Sequence, residues 1–286
     1  MDEYSTYSKA KTNMDRLHEV DLNITKEVVS ICDRHKLTYF MLGGTMLGAI
    51  RHKGFIPWDD DIDLGMPRDD YEMFMSIAPK ELPASLKIVN YRNTPKYQYY
   101  ITRVLDTETK VVEERIGNES KYTNASIDIF PIDGTPNNPI ARKIYFFRVL
   151  FHRALMSLCY KDSIDRKRKR GKAEKILLWV MERIPVEKLT TPYKQKCIID
   201  KLLRKQKYDG AKYVGNIMGA YRTREIVPAS YYGKGTLYPF EDIQLRGLDK
   251  YDEYLTHTYG DYMQLPPEEK RKTHFRIIEI HGEKVN

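Results

Sequence analysis

The chain has 286 residues, with 48 Lys and Arg against 40 Asp and Glu, a formal charge of +8 and a pI near 9.1. That length supports one large domain, or one domain with an attached lobe, and the positive excess points to an anionic partner: a nucleotide, a phosphorylated polymer, a membrane surface or a nucleic acid. Three cysteines, Cys32, Cys159 and Cys197, lie far apart with no paired spacing, which speaks against a disulfide framework or structural zinc and for a reduced, cytoplasmic protein.

The opening residues, MDEYSTYSKAK, are polar, so no hydrophobic signal segment is read there. Leu17, Val20, Ile24, Val28 and Ile31 then recur at a helical period and predict an amphipathic helix over 14–35. An apolar run over 39–42 reads as a buried strand ending at Gly43-Gly44-Thr45, where a glycine pair lets backbone approach another group; a short helix over 46–51 should follow. Past the basic turn Arg51-His52-Lys53-Gly54, apolar residues alternate with acids. Ile62, Leu64 and Met66 face a core, and Asp61 and Asp63 project together on the other face, about 7 Å apart. Asp59 shares that parity if the strand reaches back through Trp58, whereas Asp60 faces away and is the weakest ligand candidate. Carboxylates crowded on one short edge repel unless something compensates. A cation is the simplest compensation, and oxygen ligands with no Cys or His close by favour Mg²⁺ or Mn²⁺.

Next, Asp69 with Glu72 suggests a capped helix burying Tyr71, Phe74, Met75 and Ala78 and ended by Pro79 and Pro83. Strands are expected over 87–91, 97–104 and 110–113, and another carries Asp128 between Ile127 and Ile129, the acid facing away from the core. Asp133, beyond Pro131, reads as turn chemistry. From Ile140 a basic, aromatic helix begins; Arg148, His152 and Arg153 interrupt it too often for a bilayer span, but with the basic run Arg166-Lys167-Arg168-Lys169-Arg170 it suits an anionic membrane surface or an anionic glycan over residues 140–172. No nucleic-acid recognition motif accompanies the charge, so none is expected as a partner. Leu248, Tyr251, Tyr254 and Leu255 form a last helix ended by Gly260; Asp261, Arg271 and His274 follow in the tail.

Gly43-Gly44-Thr45 followed by Arg51-His52-Lys53-Gly54-Phe55-Ile56-Pro57-Trp58-Asp59-Asp60-Asp61-Ile62-Asp63 resembles the LicD family of phosphorylcholine transferases, whose signature is shared with fukutin-type ribitol-phosphate transferases in the nucleotidyltransferase superfamily. Ser126-Ile127-Asp128-Ile129-Phe130-Pro131-Ile132-Asp133 and Tyr259-Gly260-Asp261-Tyr262-Met263-Gln264-Leu265-Pro266-Pro267 resemble further pieces of the same family. The resemblance implies a mixed α/β, nucleotidyltransferase-like sheet flanked by helices: a core over 1–135, a basic helical segment over 136–210, and a C-terminal part over 211–286 packing back on the core. It also implies a CDP-choline or similar CDP-alcohol donor, a glycan acceptor, free or lipid-linked, release of CMP, and a location in the cytoplasm or at the inner face of the membrane.

Under that resemblance a cation held by Asp61 and Asp63, with Asp59 and Asp128 as further ligands, would meet the donor diphosphate. Gly43, Gly44 and Thr45 lead into a helix whose first amides suit an anion, and Arg51, His52, Lys53 and Arg103 add positive charge. Asp128 is either the base for the attacking hydroxyl or part of the metal shell. Trp58, Tyr97, Tyr99, Tyr100 and Tyr122 are available to enclose a quaternary ammonium. Two other readings stay open: a nucleotidyltransferase moving NMP from an NTP, and a non-enzymatic basic module binding membrane or polyanion.

Overall fold

A computed structural model describes residues 12–113, 121–160, 189–271, 273, 275–280 and 282–284. Helix α1 (Asn13–His35) opens with a reciprocal cap between Thr12 and Asp15 and closes at left-handed Lys36; Leu17, Ile24, Val28 and Ile31 are its buried stripe. Strand β1 (Phe40–Met41) leads straight into α2 (Gly43–Arg51), so the glycine pair opens the helix instead of preceding it. Strand β2 (Asp63–Pro67) and helix α3 (Arg68–Glu81) follow.

Two expectations for α3 are corrected. Asp69 does not cap it: the helix starts at Arg68 after Pro67, Asp69 pairs with Lys207 at 3.1 Å, and Glu72 is drawn to Arg92 and Arg204. Nor does Pro79 end it. The ring removes one amide donor, but the last turn still closes through the Leu82 N–H and the Ala78 carbonyl at 2.9 Å.

Strands β3 (Leu86–Val89), β4 (Thr102–Glu113) and β5 (Lys121–Gly134) complete the centre. The two strands expected over 97–104 and 110–113 are one, interrupted by a register shift between Leu105 and Lys110. Asp106 explains the interruption: its carboxylate accepts from the Glu108 N–H at 2.9 Å and the Thr109 hydroxyl at 2.7 Å, a local turn inside the ladder. Residues 97–101 are irregular. Asp133 is not in a turn but in β5, where it meets Arg68.

Helix α4 (Pro139–Leu158), capped by Asn138, packs on α5 (Pro192–Leu203). Then come β6 (Tyr213–Gly215), β7 (Val227–Pro228), the hairpin β8 (Thr236–Phe240) and β9 (Ile243–Gly247), helix α6 (Tyr251–Tyr259), and strands β10 (Phe275–Ile280) and β11 (Glu283–Lys284). The main sheet has nine strands: β1-β2-β5-β4-β10-β11 side by side, with β3 on β4 and β6 and β7 carried on from β5. β2 and β5 are parallel and the other pairings among the described residues antiparallel, so the sheet is mixed, with α1 lying across β4, β5 and β10. Its apolar side is continuous: Ile62, Leu64, Met66, Ile127 and Ile129 are all fully buried.

Candidate active site

Parallel pairing of β2 with β5 sets Asp63 beside Asp128, and antiparallel pairing of β5 with β4 sets Asp128 beside Arg103. The three side chains form a row across the sheet, and Asp61, just before β2, joins them in one cavity of about 720 Å³. The row is held from behind: the Asp63 N–H donates to the Thr45 hydroxyl at 2.8 Å, the Leu42 N–H to the Asp63 carbonyl at 2.9 Å, and the Asp128 N–H to the Ile62 carbonyl at 2.8 Å. Asp59 lines the same cavity, with its carbonyl against His18 Nε2 at 2.7 Å. Asp60 turns the other way and accepts from the Phe275 N–H at 2.6 Å.

Gly43 and Gly44 touch this cavity, and their lack of a side chain makes room for the acids. A Cβ on Gly44 would fall 2.4 Å from Asp59 Oδ2; one on Gly43, at φ +51°, would fall 3.2 Å from Asp63 Oδ2. The Gly43 N–H already donates to the Tyr254 hydroxyl at 3.0 Å, so the first amide of α2 is engaged within the protein. The remaining sequence candidates do not line the cavity. Thr45 is buried behind Asp63, Arg51 reaches the Tyr262 carbonyl at 2.8 Å, His52 stands edge-on to Trp58, and Lys53 is an exposed turn residue at φ +62°. Arg271 caps the Trp58 ring at 4.9 Å and so pins the tail; His274 lies outside the described residues.

Burial holds the Asp61 and Asp63 carboxyls well above the usual carboxylate range, and the neighbouring acids add to it: first Asp59 for Asp61, first Asp61 for Asp63. Asp128 is raised by burial too, against the opposing pull of Arg103, whose Nε donates to Asp128 Oδ1 at 2.8 Å. A further acid, Asp21 of α1, went unnoticed in the sequence because a lone Asp in an amphipathic helix gives no signal. It is completely buried behind the row, neither carboxylate oxygen has a hydrogen-bond partner, and burial together with Asp61, Asp60 and Asp128 drives its pKa far up.

Among the described residues no three His, Cys, Asp or Glu side chains close around one point as a finished ligand shell. The donor chemistry nonetheless fits a hard divalent ion: the cavity carboxylates are oxygen donors, crowded and desolvated, with Arg103 on Asp128 as the ion pair formed at the row and an orphaned acid behind it.

Another part of the wall comes from far along the chain. Arg153 of α4, Asn216 after β6, Tyr221 and Glu225 around a short 3₁₀ turn, and Tyr254 and Tyr259 of α6 all face the same space. Tyr259 opens the tail motif noted in the sequence, but no local pattern marks Arg153, Tyr221 or Glu225; packing of α6 on α2 brings Tyr254 and Tyr259 to the cavity.

This row of acids beside a glycine-led helix agrees with a family model described as LicD/FKTN/FKRP, nucleotidyltransferase domain, which matches residues 36–156. Over 261 residues, 89% of this chain and 93% of the relative, the sequence is 32% identical to the protein named lipopolysaccharide cholinephosphotransferase LicD of Haemophilus influenzae. The chain belongs to the LicD family. It is a transferase enzyme, which removes the reading as a non-enzymatic module. A stretch of 43 residues, 15% of this chain and 9% of the relative, is 44% identical to ribitol 5-phosphate transferase FKRP of Homo sapiens. In this LicD-family chain the matched segment 36–156 holds Gly43, Gly44, the four cavity acids and Arg153, whereas Glu225, Tyr254 and Tyr259 lie beyond it.

Proposed function

We propose that this enzyme moves phosphorylcholine, or a related phospho-alcohol, from a CDP-activated donor to a hydroxyl of a cell-surface glycan or teichoic acid precursor, releasing CMP. The observation that carries the reading is the near full-length likeness to a protein named a cholinephosphotransferase, in a chain whose acids and arginine share one cavity. Asp61 and Asp63, with Asp59 and Asp128, would hold Mg²⁺ or Mn²⁺, which when bound neutralises charge on a diphosphate. Arg103 fixes Asp128 by one carboxylate oxygen and keeps it oriented in the cavity, either within the metal shell or, in its place, as the base for the attacking hydroxyl. Gly43 and Gly44, by leaving room for the Asp59 and Asp63 carboxylates, set the corner at which the donor phosphates would meet the cation.

The test is a donor screen with Mg²⁺, a glycan acceptor, and CDP-choline, CDP-glycerol or CTP. CMP released from CDP-choline is expected. Pyrophosphate released from CTP, with no CMP from either CDP-alcohol, would establish the nucleotidyltransferase alternative instead.

We further propose a lipid-linked acceptor and a membrane contact on α4. Ile140, Ile144, Phe147 and Phe151 are 50% to 71% exposed along one helical face, Phe147 and Phe151 are stacked at 6.3 Å, and Lys143 and Arg148 are exposed beside them. Apolar residues flanked by basic ones match an anionic bilayer surface. Among the described residues no helix is long and apolar enough to cross a membrane. Phe147→Glu with Phe151→Glu should abolish co-sedimentation with phosphatidylglycerol vesicles while sparing turnover of a soluble acceptor; wild-type protein that ignores such vesicles would refute the placement. The basic run after α4 lies outside the described residues.

A further inference from the structure

Of the aromatic residues singled out in the sequence, Tyr99 and Tyr100 line the cavity with the acids, Trp58 does not, and the Tyr122 side chain lies outside the described residues. Trp58 packs with His52 and Arg271 away from the cavity, Tyr100 donates its hydroxyl to Asp200 at 2.8 Å, and Tyr99 stacks under Arg103 at 4.5 Å. A different group lines the cavity beside the acid row. Tyr221 and Tyr259 meet at right angles, with ring centroids 6.0 Å apart and planes at 88°, and Tyr254 lies behind them. Tyr221 is 46% exposed although it lines the cavity, so its ring is available to a ligand.

Glu225 sits in the same wall. Its Oε1 accepts from the Tyr221 N–H at 2.8 Å, its carboxylate lies so close over Gly219 that any Cβ there would collide with it, and no salt bridge reaches it among the described residues. Arg153, a cation lining the same cavity, donates instead to the Ile217 and Gly219 carbonyls at 2.9 Å each. Burial pushes the Glu225 carboxyl up to about 7, against the Tyr221 amide and the charge of Arg153.

We infer that Glu225, Tyr221 and Tyr259 form the subsite for the quaternary ammonium of the donor. A trimethylammonium group cannot donate a hydrogen bond. It is recognised by ring faces and a nearby negative charge, and both are present here. The distance relation is also right. The Tyr259 hydroxyl and Asp63 Oδ2 lie 3.6 and 3.2 Å from the same point at Gly43, so the aromatic wall adjoins the acids. Choline places its nitrogen an oxygen and two carbons from the phosphorus, which spans from one to the other. A glycerol or ribitol group would instead need several hydrogen-bonding partners, and the tyrosine rings offer none on their faces.

The inference rests on a choline-type donor, and the two readings fail separately. Glu225→Gln keeps an acceptor for the Tyr221 amide and so keeps the turn; Tyr221→Leu removes one ring from an exposed position. Calorimetric titration of wild type and each variant with CDP-choline, CDP-glycerol and CMP is the measurement, alongside wild-type CMP release. Each variant should lose about tenfold in affinity for CDP-choline and leave CMP and CDP-glycerol unchanged. Wild-type turnover of CDP-choline with equal losses for all three ligands, or with no loss, overturns the subsite alone. Wild-type turnover of CDP-glycerol in preference to CDP-choline overturns the subsite together with the choline reading above.

Discussion

Asp63→Asn is expected to cut turnover by about a thousandfold, equivalent to ~4 kcal/mol of transition-state stabilisation, and to raise thermal stability at neutral pH. The two effects share one origin. Asp63 is half-buried in the cavity, and desolvation of its carboxyl with Asp61, Asp128 and Asp59 close by holds it well above the usual range in the folded chain. A carboxyl that keeps its proton to higher pH when folded than when unfolded loses stability for the protein as pH rises from the unfolded carboxylate range to the raised folded one. Above that window the charge is a net burden on the fold unless a cation shares it. Asparagine keeps the shape and removes the charge. Mg²⁺ should therefore raise the melting temperature of wild type and do little for Asp63→Asn. Full activity in this variant, or in Asp61→Ala, would end the reading of the acid row as the reaction centre.

Arg68→Met should destabilise the protein by about 3–5 kcal/mol, read as a fall in the urea midpoint. Arg68 is 4% exposed and grips Asp133 with two bonds, Nε at 2.8 Å and Nη2 at 2.6 Å, while Nη1 reaches Asp200 at 3.2 Å. Arg92 and Arg204 complete a network with Glu72 and Asp200. Removing Arg68 strands Asp133, 3% exposed, without its cation, whereas Asp200 keeps two others. Adding Asp133→Leu should then recover part of the loss, because an uncompensated buried charge is worse than an apolar pair. A single variant within 1 kcal/mol of wild type would show that the network is not what ties α3 and α5 to β5.

Much of the centre was legible beforehand because strand alternation is a local rule. Ile62, Leu64 and Met66 inward required Asp61 and Asp63 outward, and the same parity turned Asp60 away, onto the Phe275 amide. Ile127 and Ile129 did the same for Asp128. The misreadings came where a side chain answered to a distant partner. Asp133 follows a proline and resembles a turn, yet Arg68 keeps it in a strand. Asp69 and Glu72 have the spacing of a cap, yet Lys207, Arg92 and Arg204 claim them. Asp106 bends β4 without ending it.

By itself, then, the sequence determined the identity of the acids, the faces they occupy and the glycines that make room for them, since each follows from backbone period and steric size within a few residues. Only the tertiary structure decided what stands beside them. The parallel pairing of β2 with β5 chose Asp128 as neighbour to Asp63, and the return of α6 to α2 set Tyr254 and Tyr259 in the same cavity. Residues more than a hundred positions apart share a wall because burying apolar faces fixes where helices dock, and no spacing within one segment encodes that.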